Sequence, residues 1–219
     1  MLQRKSYRQV REYMQPGDVI AFGGQSIFSR WAKFTTGSGV THVAIVMENH
    51  QDTHPKDNVS LKVMESAWFR RKRGVMKNCL HKKVRTYKGN MWWLPLSAAS
   101  RAIFEQNQEA FFEFMQKQDG KPYDIQQLFG AAIDVTDQHP ILSRLTYNQE
   151  NYNRWFCSEL VAAALKTAGV VDGVNASETT PIDVCRFDIF ENRYVQLKGK
   201  DKMIKGFNTQ SADNWGQIA

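Results

Sequence analysis

Strand-like and helix-like patterns occupy separate blocks of this chain, and that segregation constrains its fold more than any other feature. Apolar, β-rich runs cover residues 19–22, 40–48, 59–68 and 91–95, whereas helical spacing governs 98–118 and 157–168. One block of strands and another of helices predicts an α+β architecture with an antiparallel sheet, rather than the alternating units of a parallel one.

Turn chemistry sharpens these boundaries. Pro16-Gly17-Asp18 opens a short buried strand that Gly23-Gly24 closes. Ile27, Phe28, Trp31 and Phe34 then recur at helical spacing, and Gly37-Ser38-Gly39 stops that helix. The polar loop 49–58 makes 40–48 and 59–68 an antiparallel hairpin. The basic stretch after it reads as further short strands. Residues 98–118 read as one amphipathic helix broken at Gly120, and 125–133 as a short helix. The polar segment 136–153 is long enough to be a lid. The helix 157–168 has Gly169 as its C-cap, and a strand is expected around 194–197 before a polar tail.

At 219 residues the chain fits one domain, with a core of about 16–198 and a basic insertion near 69–90. Its 42% hydrophobic and 23% charged residues are those of a globular protein and exclude a disordered chain. The net charge of +7 and pI near 9.3 suit peripheral contact with an anionic surface. Part of that charge is clustered: Arg70, Arg71, Lys72, Arg73, Lys77, Lys82, Lys83, Arg85 and Lys88 are interleaved with Trp68, Phe69 and Tyr87. Such a run is most simply a solvated hairpin, so nucleic acid is not the expected partner.

The N-terminal segment is basic and lacks the apolar stretch of a signal peptide, and no window approaches the ~18 apolar residues of a membrane span. A cytoplasmic location follows, unless another export route serves the chain. Three cysteines without C-x-x-C spacing indicate neither a disulfide framework nor a metal knuckle, so no metal or other cofactor is expected.

Three residues then combine into chemistry. Cys157 heads the stripe Leu160, Val161, Ala164, Leu165, Ala168. It reads either as a buried core thiol or as a nucleophile, because backbone N–H groups at a helix start favour a thiolate and can hold an oxyanion. His42 shares a strand face with Ala44 and Val46 and is alternatively a structural histidine. Glu65 ends the apolar face of Val59, Leu61 and Val63, where an unpaired carboxylate is costly. An imidazole on the adjacent strand would satisfy it; the alternative is a strand-end carboxylate reaching water or an arginine. Thiol, imidazole and carboxylate form the minimum set for thiol nucleophilic catalysis. His50, His54, His81 and His139 fall in polar or basic segments, and Cys185 and Cys79 read as core and half-buried strand residues. Ser26 and Ser66 lack a G-x-S-x-G elbow.

These residues sit in segments that resemble the NlpC/P60 superfamily, in particular its circularly permuted papain-like branch with the YiiX/YaeF-like and lecithin:retinol acyltransferase-like groups. Pro16-Gly17-Asp18-Val19-Ile20 resembles the opening turn and strand, Thr41-His42-Val43-Ala44-Ile45-Val46 the histidine strand, and Gly120-Lys121-Pro122-Tyr123-Asp124 the Gly-x-x-Tyr element. Phe156-Cys157-Ser158-Glu159-Leu160-Val161 resembles the cysteine motif, and Thr180-Pro181-Ile182-Asp183 a segment that follows it. The resemblance spans about 16–190 and leaves the basic stretch and 136–153 unmatched. The order His, acid, Tyr, Cys is what marks the permuted branch. It implies an antiparallel sheet packed against the cysteine helix, with Cys157 as nucleophile, His42 as base, Glu65 orienting the histidine and Tyr123 near the oxyanion. Tyr123 read by itself is equally a packed turn aromatic.

The activity so implied is hydrolysis or acyl transfer at an amide or ester, through an acyl-thioester on Cys157, with a cell-wall peptide, fatty-acyl amide or lipid ester as substrate. The competing expectation is a non-catalytic module whose basic and aromatic surface holds lipid or nucleic acid.

Overall fold

In the computed structural model, residues 1–24, 39–51, 59–69, 72–122 and 156–217 are described. The expected helix at 26–34, the short helix at 125–133, the candidate lid at 136–153 and Tyr123 lie outside them.

The strands are β1 (Leu2–Arg4), β2 (Val19–Gly24), β3 (His42–Gln51), β4 (Val59–Phe69), β5 (Lys72–Cys79), β6 (Gly89–Leu94) and β7 (Tyr194–Lys198). They form one seven-stranded sheet in the order β1-β7-β6-β2-β3-β4-β5. All pairs are antiparallel except β1 with β7, so the sheet is mixed at one edge rather than wholly antiparallel. Helices α1 (Tyr7–Val10), α2 (Leu80–Thr86), α3 (Ala98–Gln106), α4 (Gln108–Gln118), α5 (Cys157–Thr167) and α6 (Pro181–Arg186) complete the α+β architecture.

Both faces of the sheet are covered. Val19, Ala21, Val43, Ile45 and Met64 point into the layer of α3, α4, α5 and α6, while Ile20, Phe22, Ala44, Val46, Leu61 and Val63 pack with Tyr7, Val10 and Leu80 on the other side. Double coverage is why β2 reads as an unbroken apolar run instead of an alternating one.

Two sequence expectations are corrected. Residues 98–118 are two helices, because Asn107 leaves helical geometry (φ −118°, ψ 13°) and its side chain donates to Ile103 O at 3.0 Å. An asparagine that bonds the backbone locally competes with helix propagation. In the basic stretch, Leu80–Thr86 is helical rather than extended, since Leu80 and Val84 are four residues apart and Lys and Arg are good helix formers. That turn leaves Cys79, the last residue of β5, exposed instead of half-buried.

The helix carrying Cys157 ends as its sequence predicts. Gly169 takes φ +69°, its N–H donates to Lys166 O and that of Val170 to Leu165 O, which together make a Schellman cap. Thr180-Pro181-Ile182-Asp183 starts α6, with Asp183 accepting from Thr180 N–H at 3.1 Å.

Asp18 fixes the opening turn. Its buried carboxylate accepts from Trp93 Nε1 (2.8 Å), Gln15 N (3.0 Å), Leu96 N (3.1 Å) and Arg101 Nη2 (2.5 Å). Burial nevertheless pushes its carboxyl up to about 6, with Arg101 opposing. At the far edge, Val75 and the segment after α4 exchange backbone bonds: Val75 N to Lys121 O (2.8 Å) and Gly120 N to Val75 O (3.0 Å). Gly74, at φ +119°, makes room for that approach, and the docking covers part of the β5 edge.

Candidate active site

His42 and Cys157 both stand at element starts, the first of β3 and the first of α5. The pairing of Ile45 with Met64 puts Glu65 opposite Ala44 and diagonal to His42 on the same face. Long side chains bridge such a diagonal. Glu65 Oε2 accordingly lies 2.6 Å from His42 Nε2. An ionised carboxylate only accepts, so Nε2 carries the hydrogen and Nδ1 is left for the thiol.

The Cys157 thiol lies close enough to the same imidazole to raise its pKa. Burial works to lower the His42 pKa, but the charge and hydrogen bond of Cys157, followed by those of Glu65, outweigh it and raise the value to about 9. At Glu65 burial opposes ionisation, yet the bond and charge of His42, and then Lys83, lower it to about 2. The two results agree in direction: the protonated ring is favoured beside the Glu65 carboxylate.

Glu65 is 1% exposed, which removes the reading of a strand-end carboxylate in water. Its second oxygen accepts from Asn78 Nδ2 at 2.6 Å and from Lys83 Nζ. Asn78 pairs with Val63 and is therefore diagonal to Glu65 from β5, as His42 is from β3. Neither Asn78 nor Lys83 was an expected site residue. The available signal was the stripe Leu80, Lys83, Val84, Tyr87, which sets a cation amid apolar positions at helical spacing.

Aromatic rings hold the imidazole from the side. Phe22, paired with His42 across β2 and β3, has its ring centroid 5.3 Å from the histidine and 5.1 Å from Tyr87. Burial raises the phenol of Tyr87 to about 12, with Thr41 opposing, so it is neutral wherever the site operates.

At the thiol, Leu160 N–H to Phe156 O (3.0 Å) is the first bond of the helix ladder, so the Cys157 N–H is not consumed within it. Glu159 caps this end, accepting from Phe156 N (3.1 Å) and Ser177 Oγ (2.6 Å). Cys157 is 2% exposed. The other thiols lack this setting: Cys185 donates to Pro181 O at 3.2 Å and burial pushes its pKa up, and Cys79 is exposed. The site thus brings together Cys157, His42 and Glu65 of the expected residues, with Tyr123 outside the described ones.

Much of the basic and aromatic stretch is committed elsewhere. Trp92 and Trp93 are buried, with Nε1 donating to Lys202 O (3.0 Å) and to Asp18, while Lys77 and Lys62 pair with Glu48. Among the described residues no group of three or more His, Cys, Asp or Glu side chains is placed to hold a metal ion, and no helix is long and apolar enough to cross a membrane.

No protein-family model matches the chain, and no curated protein matches it. Among solved structures it is similar to metalloprotein yiiX from Escherichia coli O157:H7, DUF1105, at 20% identity and a TM-score of 0.43. That similarity covers 70% of this chain and 66% of the other, so the match spans just under two thirds of the neighbour's length.

Proposed function

We propose that this chain is a cysteine hydrolase or acyltransferase with a circularly permuted papain-like fold of the NlpC/P60 type, acting on an amide or ester through an acyl-thioester on Cys157. The observation that carries the reading is an imidazole bonded to a buried carboxylate and within electrostatic reach of a thiol at a helix start.

Each step follows from that arrangement. With His42 protonated, the Cys157 sulfur attacks the substrate carbonyl carbon, forming a C–S bond while the carbonyl oxygen takes the electron pair. Backbone N–H at the start of α5 then donates to that oxyanion. When the C–N or C–O bond breaks, His42 gives its proton to the departing amine or alkoxide, leaving the thioester. The ring, now neutral, takes a proton from water or another acceptor, which attacks the thioester and restores the thiolate–imidazolium pair. Glu65 orients the ring and offsets its charge throughout. A cell-wall peptide, fatty-acyl amide or lipid ester fits this chemistry, and the net charge of +7 suits a substrate held at an anionic surface.

Intact-mass analysis after incubation with a panel of such amides and esters tests the reading. The expected result is an acyl adduct on Cys157 that Cys157→Ala abolishes without unfolding the protein. No adduct or turnover across the panel, together with salt-sensitive lipid or nucleic-acid binding unchanged in Cys157→Ala, would instead support a non-catalytic module.

A further inference from the structure

Lys83 occupies a position where satisfying a hydrogen bond does not require a charge. Leu80 and Val84 of its helix pack on the Phe22 face of the sheet, and Lys83 lies between them in the same stripe. Its side chain is 20% exposed, passes with Nζ 5.4 Å from the Phe22 ring centroid, and ends on Glu65 Oε1. That oxygen already accepts from Asn78 Nδ2 at 2.6 Å. Withdrawing an ammonium from water costs more than withdrawing an amide. A neutral donor would therefore have sufficed if Oε1 needed only a second bond.

What the charge adds is a limit on how strongly Glu65 acts on His42. A general acid loses efficiency when its proton is held far above the operating pH. Cys157 of α5 and Glu65 of β4 act on His42 directly, while Lys83 of α2 and Tyr87 just after α2 face Glu65. Cys157 and Glu65 favour the imidazole proton, Tyr87 is uncharged, and Lys83 is the cation on the other oxygen of the carboxylate that orients the ring.

We propose that Lys83 is a positioning residue of the catalytic unit, sharing Glu65 with His42 so that the carboxylate orients the imidazole without locking its proton in place. This rests on the cysteine-enzyme reading and extends it to the residue that sets the working pH. Asn78 supplies geometry and Lys83 supplies charge.

The sign is definite: removing a nearby cation raises the pKa of every group that felt it. In the full chain carrying Cys79→Ser, the rate of Cys157 alkylation by iodoacetamide is followed by peptide mapping from about pH 5 to pH 10. Lys83→Met is expected to move both the acid and the alkaline inflections up by about half to one unit, as loss of a charge one carboxylate away from the ring requires. Lys83→Arg keeps the charge and should return both inflections to within about 0.2 unit of the parent. Lys83→Gln, closer to the native polarity, repeats the test should the methionine variant not fold. Unmoved inflections in a folded Met or Gln variant, or an equal shift in the arginine variant, overturn the role of Lys83. If His42→Ala leaves the parent profile unchanged, no Cys157–His42 unit exists, and the proposed function falls with the inference.

Discussion

Glu65 stands diagonal to His42 across the pairing of β3 and β4, its Oε2 2.6 Å from Nε2, with Asn78 and Lys83 on its other oxygen. Glu65→Gln keeps an acceptor for the ring but removes the charge that helps hold its proton. The alkaline limb of the rate should therefore fall from about 9 toward the ordinary imidazole range. Activity at neutral pH is expected to drop about 10- to 100-fold, the loss typical of an orienting partner. Steady-state kinetics across pH check both outcomes, and an unchanged rate and profile would leave Glu65 a structural carboxylate.

The same pair makes stability depend on pH from two sides. Glu65 has its folded value lowered to about 2, so its contribution is present above its ordinary value of 4.5 and is lost as pH falls through about 2. His42 is raised to about 9, so its contribution is complete below 6.5 and lost as pH rises through about 9. The parent should exceed a His42→Ala, Glu65→Gln double variant in stability most clearly between pH 4.5 and 6.5. The advantage should shrink on either side. Urea unfolding of both proteins over the range measures it, and the titration of Asp18, common to the two, cancels.

Asp18 gives a contrasting prediction, confined to folding. Asp18→Ala would leave Trp93 Nε1, two backbone N–H groups and Arg101 Nη2 without this acceptor. A loss of roughly 3 kcal/mol is expected for a buried charged partner of this kind. Denaturant unfolding checks the loss. Because Asp18 touches none of the groups around His42, the inflections of Cys157 alkylation should stay in place while the protein remains folded.

Which parts of this site were readable beforehand follows from how each residue is recruited. His42 and Glu65 are set by strand alternation, a local pattern, and their mutual need is visible because a carboxylate on an apolar face demands a partner. Cys157 is set by the start of a helix, again local. Asn78 and Lys83 are recruited by register and by a helix hidden in a basic run, where lysines ordinarily face water. The three-residue β1 escapes for a related reason: Leu2 pairs with Tyr194, a contact that no short-range pattern encodes. Asn107 shows the reverse case, a helix stop carried by one side chain inside an otherwise continuous amphipathic stripe.

The three thiols separate access from activation, and their order of labelling tests the assignment of Cys157. Cys79 is exposed, Cys185 is buried with its pKa pushed up, and Cys157 is 2% exposed but beside the His42 imidazole. A bulky aromatic disulfide reagent should find Cys79 first, because reach decides. Small, neutral iodoacetamide at about pH 5.5 should invert that order, since it reaches a buried sulfur and an imidazolium beside a thiol favours its nucleophilic form. His42→Ala should abolish the inversion, and Cys185 should remain unlabelled until the protein unfolds. Peptide mapping after short exposure gives the order, and faster labelling of Cys79 by iodoacetamide at that pH would remove Cys157 as the nucleophile.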